Sequence, residues 1–198
     1  VIIITTPMCE KILKFCQIDD YKVNKNPDLE EGELNILMSE KKSERMSLVL
    51  KLNTFNQIKE SIEKVGKYSD NPKFLEDIDE KIANIFSNYK IANKWTDDNE
   101  KEEFKKFNSK IKVKVYSKFL EDIIKDMGFK IAINNDDTDF IVYPDYLDVD
   151  KIAKSEENKE NQKNKLIEIP SHSNVSKDPI ERTEYRYSLI EEKIQNSY

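Results

Sequence analysis

Glycine is scarce in this sequence. Three glycines, Gly32, Gly66 and Gly128, stand in 198 residues, too few and too scattered for the loops that bring backbone against a dinucleotide or a nucleoside triphosphate. A serine elbow is missing as well. One histidine, His172, and two cysteines, Cys9 and Cys16, give no pair at a recognised metal spacing, so neither a complete metal centre nor a cofactor is expected from this chain alone. The cysteines are seven residues apart. On one helix their Cα atoms would be about 10 Å apart, beyond disulfide reach, which points to a reducing, cytoplasmic compartment. No run approaches the roughly 18 apolar residues of a membrane span. Val1 to Ile4 is short for a signal-peptide core and has no basic leader. With 33 basic and 39 acidic residues, a net charge of −6, the chain lacks the basic excess that phosphate backbones require. Neither nucleic acid nor membrane is expected as a partner.

What is present is charge: 36 % of the residues are charged and 37 % hydrophobic, so the core is adequate but thin. Val1 to Thr5 reads as a buried strand, followed by a helix with Thr6 as N-cap, Pro7 in its first turn and Cys9 at about its third position. Short strands are expected at Tyr21 to Asn24 and Leu34 to Met38, with a turn at Asn26-Pro27-Asp28. Met46, Leu48, Leu50 and Leu52 alternate like a half-buried strand. Thr54-x-x-Gln57 is a capping box for a helix ending at Gly66. One long helix is expected from Pro72 to Trp95, then a charged loop or helical turn to Lys106. Ile111, Val113 and Val115 alternate as a strand, and Ser117 caps the following helix. Phe129 to Ile133 and Phe140 to Tyr143 read as a hairpin around Asn134 to Asp139. Lys151 to Lys165 has almost no apolar content and reads as flexible. Asp178-Pro179-Ile180-Glu181 is a strong helix start.

Displaced by 111 residues, the chain meets itself. Ile2, Ile4 and Thr6 fall on Val113, Val115 and Ser117, and Ile12-Leu13-Lys14 on Ile123-Ile124-Lys125. With gaps, Tyr21 falls on Phe129 and Leu34 on Phe140. Chance similarity in Ile- and Lys-rich sequence is the alternative to a true repeat. The fold class is therefore α/β or α+β: two βαββ-like units, a duplication or a coincidence, with intervening helices and a C-terminal helix. The expected division is a first α/β unit at 1–66, a helical connector at 67–109, a second α/β unit at 110–148, a flexible insertion at 149–165, and a strand plus docking helix at 166–198.

Chemistry-bearing residues are few. Cys9 at a helix start is either a thiolate stabilised by backbone N–H groups or a small buried hydrophobe. Thr5 and Thr6 beside it are candidate ligand-binding hydroxyls. His172, between two serines, suits a loop. Arg182 and Arg186 are four apart on the last helix. With Tyr185 they would clamp a carboxylate or phosphate, or face a protein partner, unless they pair with Glu181 or Glu184. The partner-binding set is thus His172, Arg182, Tyr185 and Arg186. No residue is singled out as catalytic.

Three islands of varied sequence, Thr5-Thr6-Pro7-Met8-Cys9-Glu10, Asn26-Pro27-Asp28 to Ser39-Glu40, and Pro170-Ser171-His172 to Arg182 and Tyr187, together resemble the methanogenesis marker proteins of methanogenic archaea. That resemblance implies a non-enzymatic accessory or scaffold subunit of a cytoplasmic redox complex around methyl-coenzyme M reductase, in its ATP-dependent activation or its assembly. Iron–sulfur proteins and an ATPase would be the partners. The competing reading is a small α/β enzyme, or an anion- or cofactor-binding protein, that uses the Thr5 to Cys9 helix start.

Overall fold

The computed structural model describes residues 1–133, 138–155, 165–171 and 173–197. It divides into two compact units, the first formed by Val1–Thr96 with Ser176–Glu184, the second by Asp97–Val175 with Tyr185–Tyr198.

The first unit is built on a four-stranded parallel sheet. Its strands are β1 (Ile3–Thr5), β2 (Tyr21–Val23), β3 (Leu34–Met38) and β4 (Ser47–Leu50), in the order β2-β1-β3-β4. Thr5 pairs with Val23 on one side and Ile36 on the other. The inner strands β1 and β3 are buried along their whole length, as a sheet covered on both faces demands. The edge strands carry the exposed residues, and Met46, expected to point inward before β4, is exposed. Helix α1 (Glu10–Phe15) crosses from β1 to β2. Helix α2 (Phe55–Val65) buries Phe55, Ile58, Ile62 and Val65, one apolar stripe at helical spacing. Its start matches the capping pattern: Thr54 Oγ1 accepts from Gln57 N–H at 3.2 Å, while Gln57 Oε1 accepts from Asn53 N–H at 3.0 Å. The single long helix expected after Pro72 is two, α3 (Ile78–Phe86) and α4 (Lys90–Thr96). The break is stabilised by Glu184, whose carboxylate accepts from the N–H groups of Ile91 and, at 2.9 Å, Ala92. Periodicity alone cannot show such a cap, because its donor and acceptor lie far apart in sequence.

The second unit repeats the plan. Strands β5 (Lys112–Val115), β6 (Lys130–Ile131), β7 (Phe140–Pro144) and β8 (Leu166–Ile169) form a parallel sheet in the order β6-β5-β7-β8. The expected hairpin is therefore corrected: β6 and β7 do not pair but flank β5, both parallel to it. Asn134 to Asp137 lie outside the described residues. The charged stretch after Trp95 is helix α5 (Asp98–Asn108), begun by Asp97, which accepts from Asn99 and Glu100 N–H at 3.0 Å each. Helix α6 (Lys118–Asp126) joins β5 to β6, and α7 (Val149–Ser155) occupies the start of the stretch read as flexible, most of whose remainder is outside the described residues. The last helix, α8 (Pro179–Gln195), starts with Asp178 as N-cap, its Oδ1 accepting from Ile180 N–H at 2.9 Å.

The internal match holds in the helices and slips in the strands. Ile18 N–H donates to Leu13 O and Phe129 N–H to Ile124 O, so the helix ends correspond as expected. In the strands, Ile3 pairs with Tyr21 and Leu34 where Val113 pairs with Ile131 and Phe140. Ile3 rather than Ile2 thus answers Val113, and Tyr21 answers Ile131 rather than Phe129. One extra residue in the second unit lies between strand and helix.

Both crossover helices end on a left-handed residue, Gln17 (φ 57°) and Gly128 (φ 84°). Glycine takes this conformation freely and an L side chain does not. Gln17→Gly should therefore stabilise the protein by about 1 kcal/mol. Gly128→Ala should destabilise it by about 2 kcal/mol or more, because a Cβ there would also sit 2.8 Å from Lys105 Cα. Urea denaturation midpoints of the two variants, moving in opposite directions, check the pair.

Candidate functional site

In the first unit the chain leaves β1 at Thr5, whose hydroxyl donates to Ile36 O at 3.1 Å. The next residue, Thr6, offers its carbonyl to the N–H groups of Cys9 (2.9 Å) and Glu10 (3.1 Å). That places the helix start later than expected. Cys9 is the N-cap of α1, with no side-chain cap, and not its third residue. The reason is that Thr6 starts the turn through its backbone. Its hydroxyl is buried and has no hydrogen-bond partner.

Cys9 itself is fully buried. Burial pushes its thiol up to about 11, against smaller opposing pulls from the Thr6 hydroxyl and the Arg182 guanidinium; Glu40 pushes with burial and Lys41 against it. A helix terminus is worth at most about 2 kcal/mol to a thiolate and less for one of six residues, so desolvation wins. Cys9 is a neutral thiol at pH 7, not a nucleophile. Cys16 is also free and buried, donates to Ile62 O at 3.4 Å, and is pushed up to about 12 by burial.

Arg182 enters the first unit from the start of α8. Its exposure is 1 %, which corrects its place on a partner-facing surface. Nη1 donates to the carbonyls of Ser176 (2.9 Å) and Lys177 (3.4 Å), and Nη2 has no partner. No carboxylate among the described residues lies within 4.0 Å of the guanidinium. Two neighbouring acids are committed elsewhere. Asp178 caps α8, accepts from Tyr89 Oη at 2.7 Å and pairs with Lys11 at 3.8 Å, while Glu184 caps α4. Burial lowers the Arg182 pKa to about 10, opposed by the fields of Cys9, Asp178 and Glu40, so the side chain stays cationic at pH 7. Glu40 and Lys41 follow β3 and are exposed. The field of Arg182 reaches Cys9, and Thr6 and Cys9 stand just past the carboxyl end of β1, where the strand order reverses. This is the switch point at which open α/β sheets bind ligands.

The second unit has a counterpart. Ser117 follows β5 as Thr6 follows β1, its carbonyl accepts from Glu121 N–H at 3.0 Å, and its hydroxyl is buried without a partner rather than capping α6. Arg186, expected to share a face and a task with Arg182, belongs to this unit and is 1 % exposed. It donates to Pro170 O at 3.0 Å and to Ser171 O, and lies 4.8 Å from the centre of the Phe119 ring. It is a structural clamp. Tyr185 is exposed, and His172 lies outside the described residues. A groove of about 280 Å³ lined by Phe104, Phe107, Phe129 and Ile194 also lies in this unit, unannounced by any motif. Among the described residues no group of three or more His, Cys, Asp or Glu could hold a metal ion.

Both thiols keep their protons in the folded chain at a pH where the unfolded chain loses them. Folded pKa values raised above 9.0 mean stability that is full below about pH 9 and falls as pH rises, by about 1.4 kcal/mol per unit per thiol. Denaturation series at pH 8, 9 and 10 should show this decline, and Cys16→Ala should roughly halve its slope.

No protein-family model matches the chain, and no curated protein matches it. Solved structures do. The metal-dependent lipoprotein YcdH from Bacillus subtilis is similar at TM-score 0.55 and 10 % identity, over 97 % of this chain and 98 % of that one. The laminin-binding protein Lbp of Streptococcus pyogenes gives 0.54 and 13 % over 96 % and 97 %. Lmb of Streptococcus agalactiae, described as having adhesin and metal transporting activity, gives 0.53 and 13 % over 98 % of both chains. At these identities the likeness establishes the α/β fold. It also corrects the expectation of an accessory or scaffold subunit for activating or assembling methyl-coenzyme M reductase, because the proteins sharing this fold are described as a metal-dependent lipoprotein and laminin-binding proteins. The expectations of a cytoplasmic place and of no membrane partner gain nothing from structural neighbours of this kind. Among the described residues no helix is long and apolar enough to cross a membrane.

Proposed function

We propose that this chain is a binding protein for a small solute, with its site at the carboxyl edge of the first sheet. One observation carries the reading. Two buried polar groups lack a hydrogen-bond partner, the Thr6 hydroxyl just past β1 at the β1/β3 switch point and Arg182 Nη2, whose charge reaches the nearby Cys9. Native proteins pair nearly all such groups, so unpaired ones gathered at a ligand-binding position are those a ligand completes. The thiol beside them is protonated and buried, which favours binding over covalent chemistry. Protein partners belong to the same proposal, with Tyr185 on the exposed face of α8 as a contact. So does a reducing compartment, supported by two free thiols.

A thermal-unfolding screen against small anions, divalent cations and neutral metabolites tests the reading. A true ligand at 100 times its Kd adds about 2.7 kcal/mol, or roughly 5–10 °C in a chain of this size. Thr6→Val should remove about a third of that gain while leaving the circular dichroism of the free protein unchanged. A screen with no shift, or a shift indifferent to Thr6→Val, would overturn the site.

A further inference from the structure

We infer that the solute is a small oxyanion, held by Arg182 Nη2 with the Thr6 hydroxyl and the Cys9 thiol as further donors. The inference rests on the solute-binding reading above and names the chemistry of that site. The charge balance carries it. Buried charges are normally paired, yet this guanidinium is 1 % exposed and its hydrogen bonds go to two neutral carbonyls. Asp178, a carboxylate whose field reaches Arg182, already receives two backbone N–H groups, a tyrosine hydroxyl and a lysine. A bound water would satisfy one N–H and leave the charge uncompensated. An oxygen of a phosphate, sulfate or carboxylate does both, in the geometry a guanidinium is suited to.

The remaining groups fit an anion and not a cation. The Thr6 hydroxyl lies against the Cys9 thiol, and between the two one proton remains to donate. The Cys9 thiol keeps its proton and is an S–H donor rather than a thiolate ligand. Arg182 and Cys9 act on each other electrostatically, which sets them within one neighbourhood. Lys41, exposed at the end of β3, adds positive field at Cys9, while Glu40 beside it opposes, as Asp178 does at Arg182. The relatives' metal dependence finds no ligand group among the described residues.

Thermal unfolding of the full chain with sodium phosphate, sulfate or acetate, against sodium chloride at equal ionic strength and against zinc and manganese chlorides, decides the matter. Expected is a saturable rise with at least one oxyanion and none with the metals. Arg182→Lys keeps the charge but loses the fork, and should raise the half-saturating concentration tenfold or more. Thr6→Val, which disturbs the packing less, should raise it several-fold. Saturation by a metal alone would overturn the oxyanion while leaving the solute-binding reading in place. No shift with any solute would sink both. An oxyanion shift unchanged in both variants would assign the ion to another place and overturn the inference.

Discussion

A parallel sheet has to be covered on both faces, and that constraint governs this chain. Its strands are connected by crossovers that lay helices over the sheet, so most of the inner-strand residues are withdrawn from water. A sequence with more than a third of its residues charged satisfies the constraint by economy of length. Strands β1, β3 and β7 run three to five residues and are buried throughout, while lysines and glutamates collect on edge strands and outer helical faces. The crossovers also bring every strand's carboxyl end to one side of its sheet. Thr6 and Ser117 stand where they do for that reason, each just past the first strand of its unit, between strands that diverge.

The sequence announces the parts governed by local rules. The apolar run before Thr5, the alternation at Val113 and Val115, the Thr54 and Asp178 caps and the matching of Ile12 with Ile123 are all visible in residue spacing, and together they yield the α/β class. What spacing cannot show is how strands order themselves laterally. Two short apolar runs around a polar turn look alike whether they pair directly, as expected for Ile131 and Phe140, or flank a third strand. The position of Cys9 failed for a similar reason, since a threonine that begins a turn by its carbonyl looks the same as one that caps by its hydroxyl.

Arg182 and Arg186 show the same limit within the candidate site. A helical wheel puts them on one face and suggests one task. The structure assigns them to different units with opposite degrees of satisfaction. Arg186 has two carbonyls from Pro170 and Ser171 and an aromatic face at Phe119. Arg182 has carbonyls from Ser176 and Lys177 and an idle Nη2. Loop carbonyls leave no mark in sequence, because every residue has one. The distinction between an arginine clamped by carbonyls and one with an idle Nη2 is therefore visible in three dimensions only.

The division of the chain also sets an order of events during synthesis. Chains emerge from the ribosome amino-terminus first. All four strands of the first sheet lie within the first 50 residues, and their pairings can form while the rest is still being made. Arg182 belongs to that unit but leaves the ribosome after the whole body of the second. For most of translation the carboxyl edge of the first sheet therefore holds Thr6 and Cys9 without their cation. The first unit is completed only by Ser176–Glu184, so a nascent chain can own the sheet before it owns Arg182.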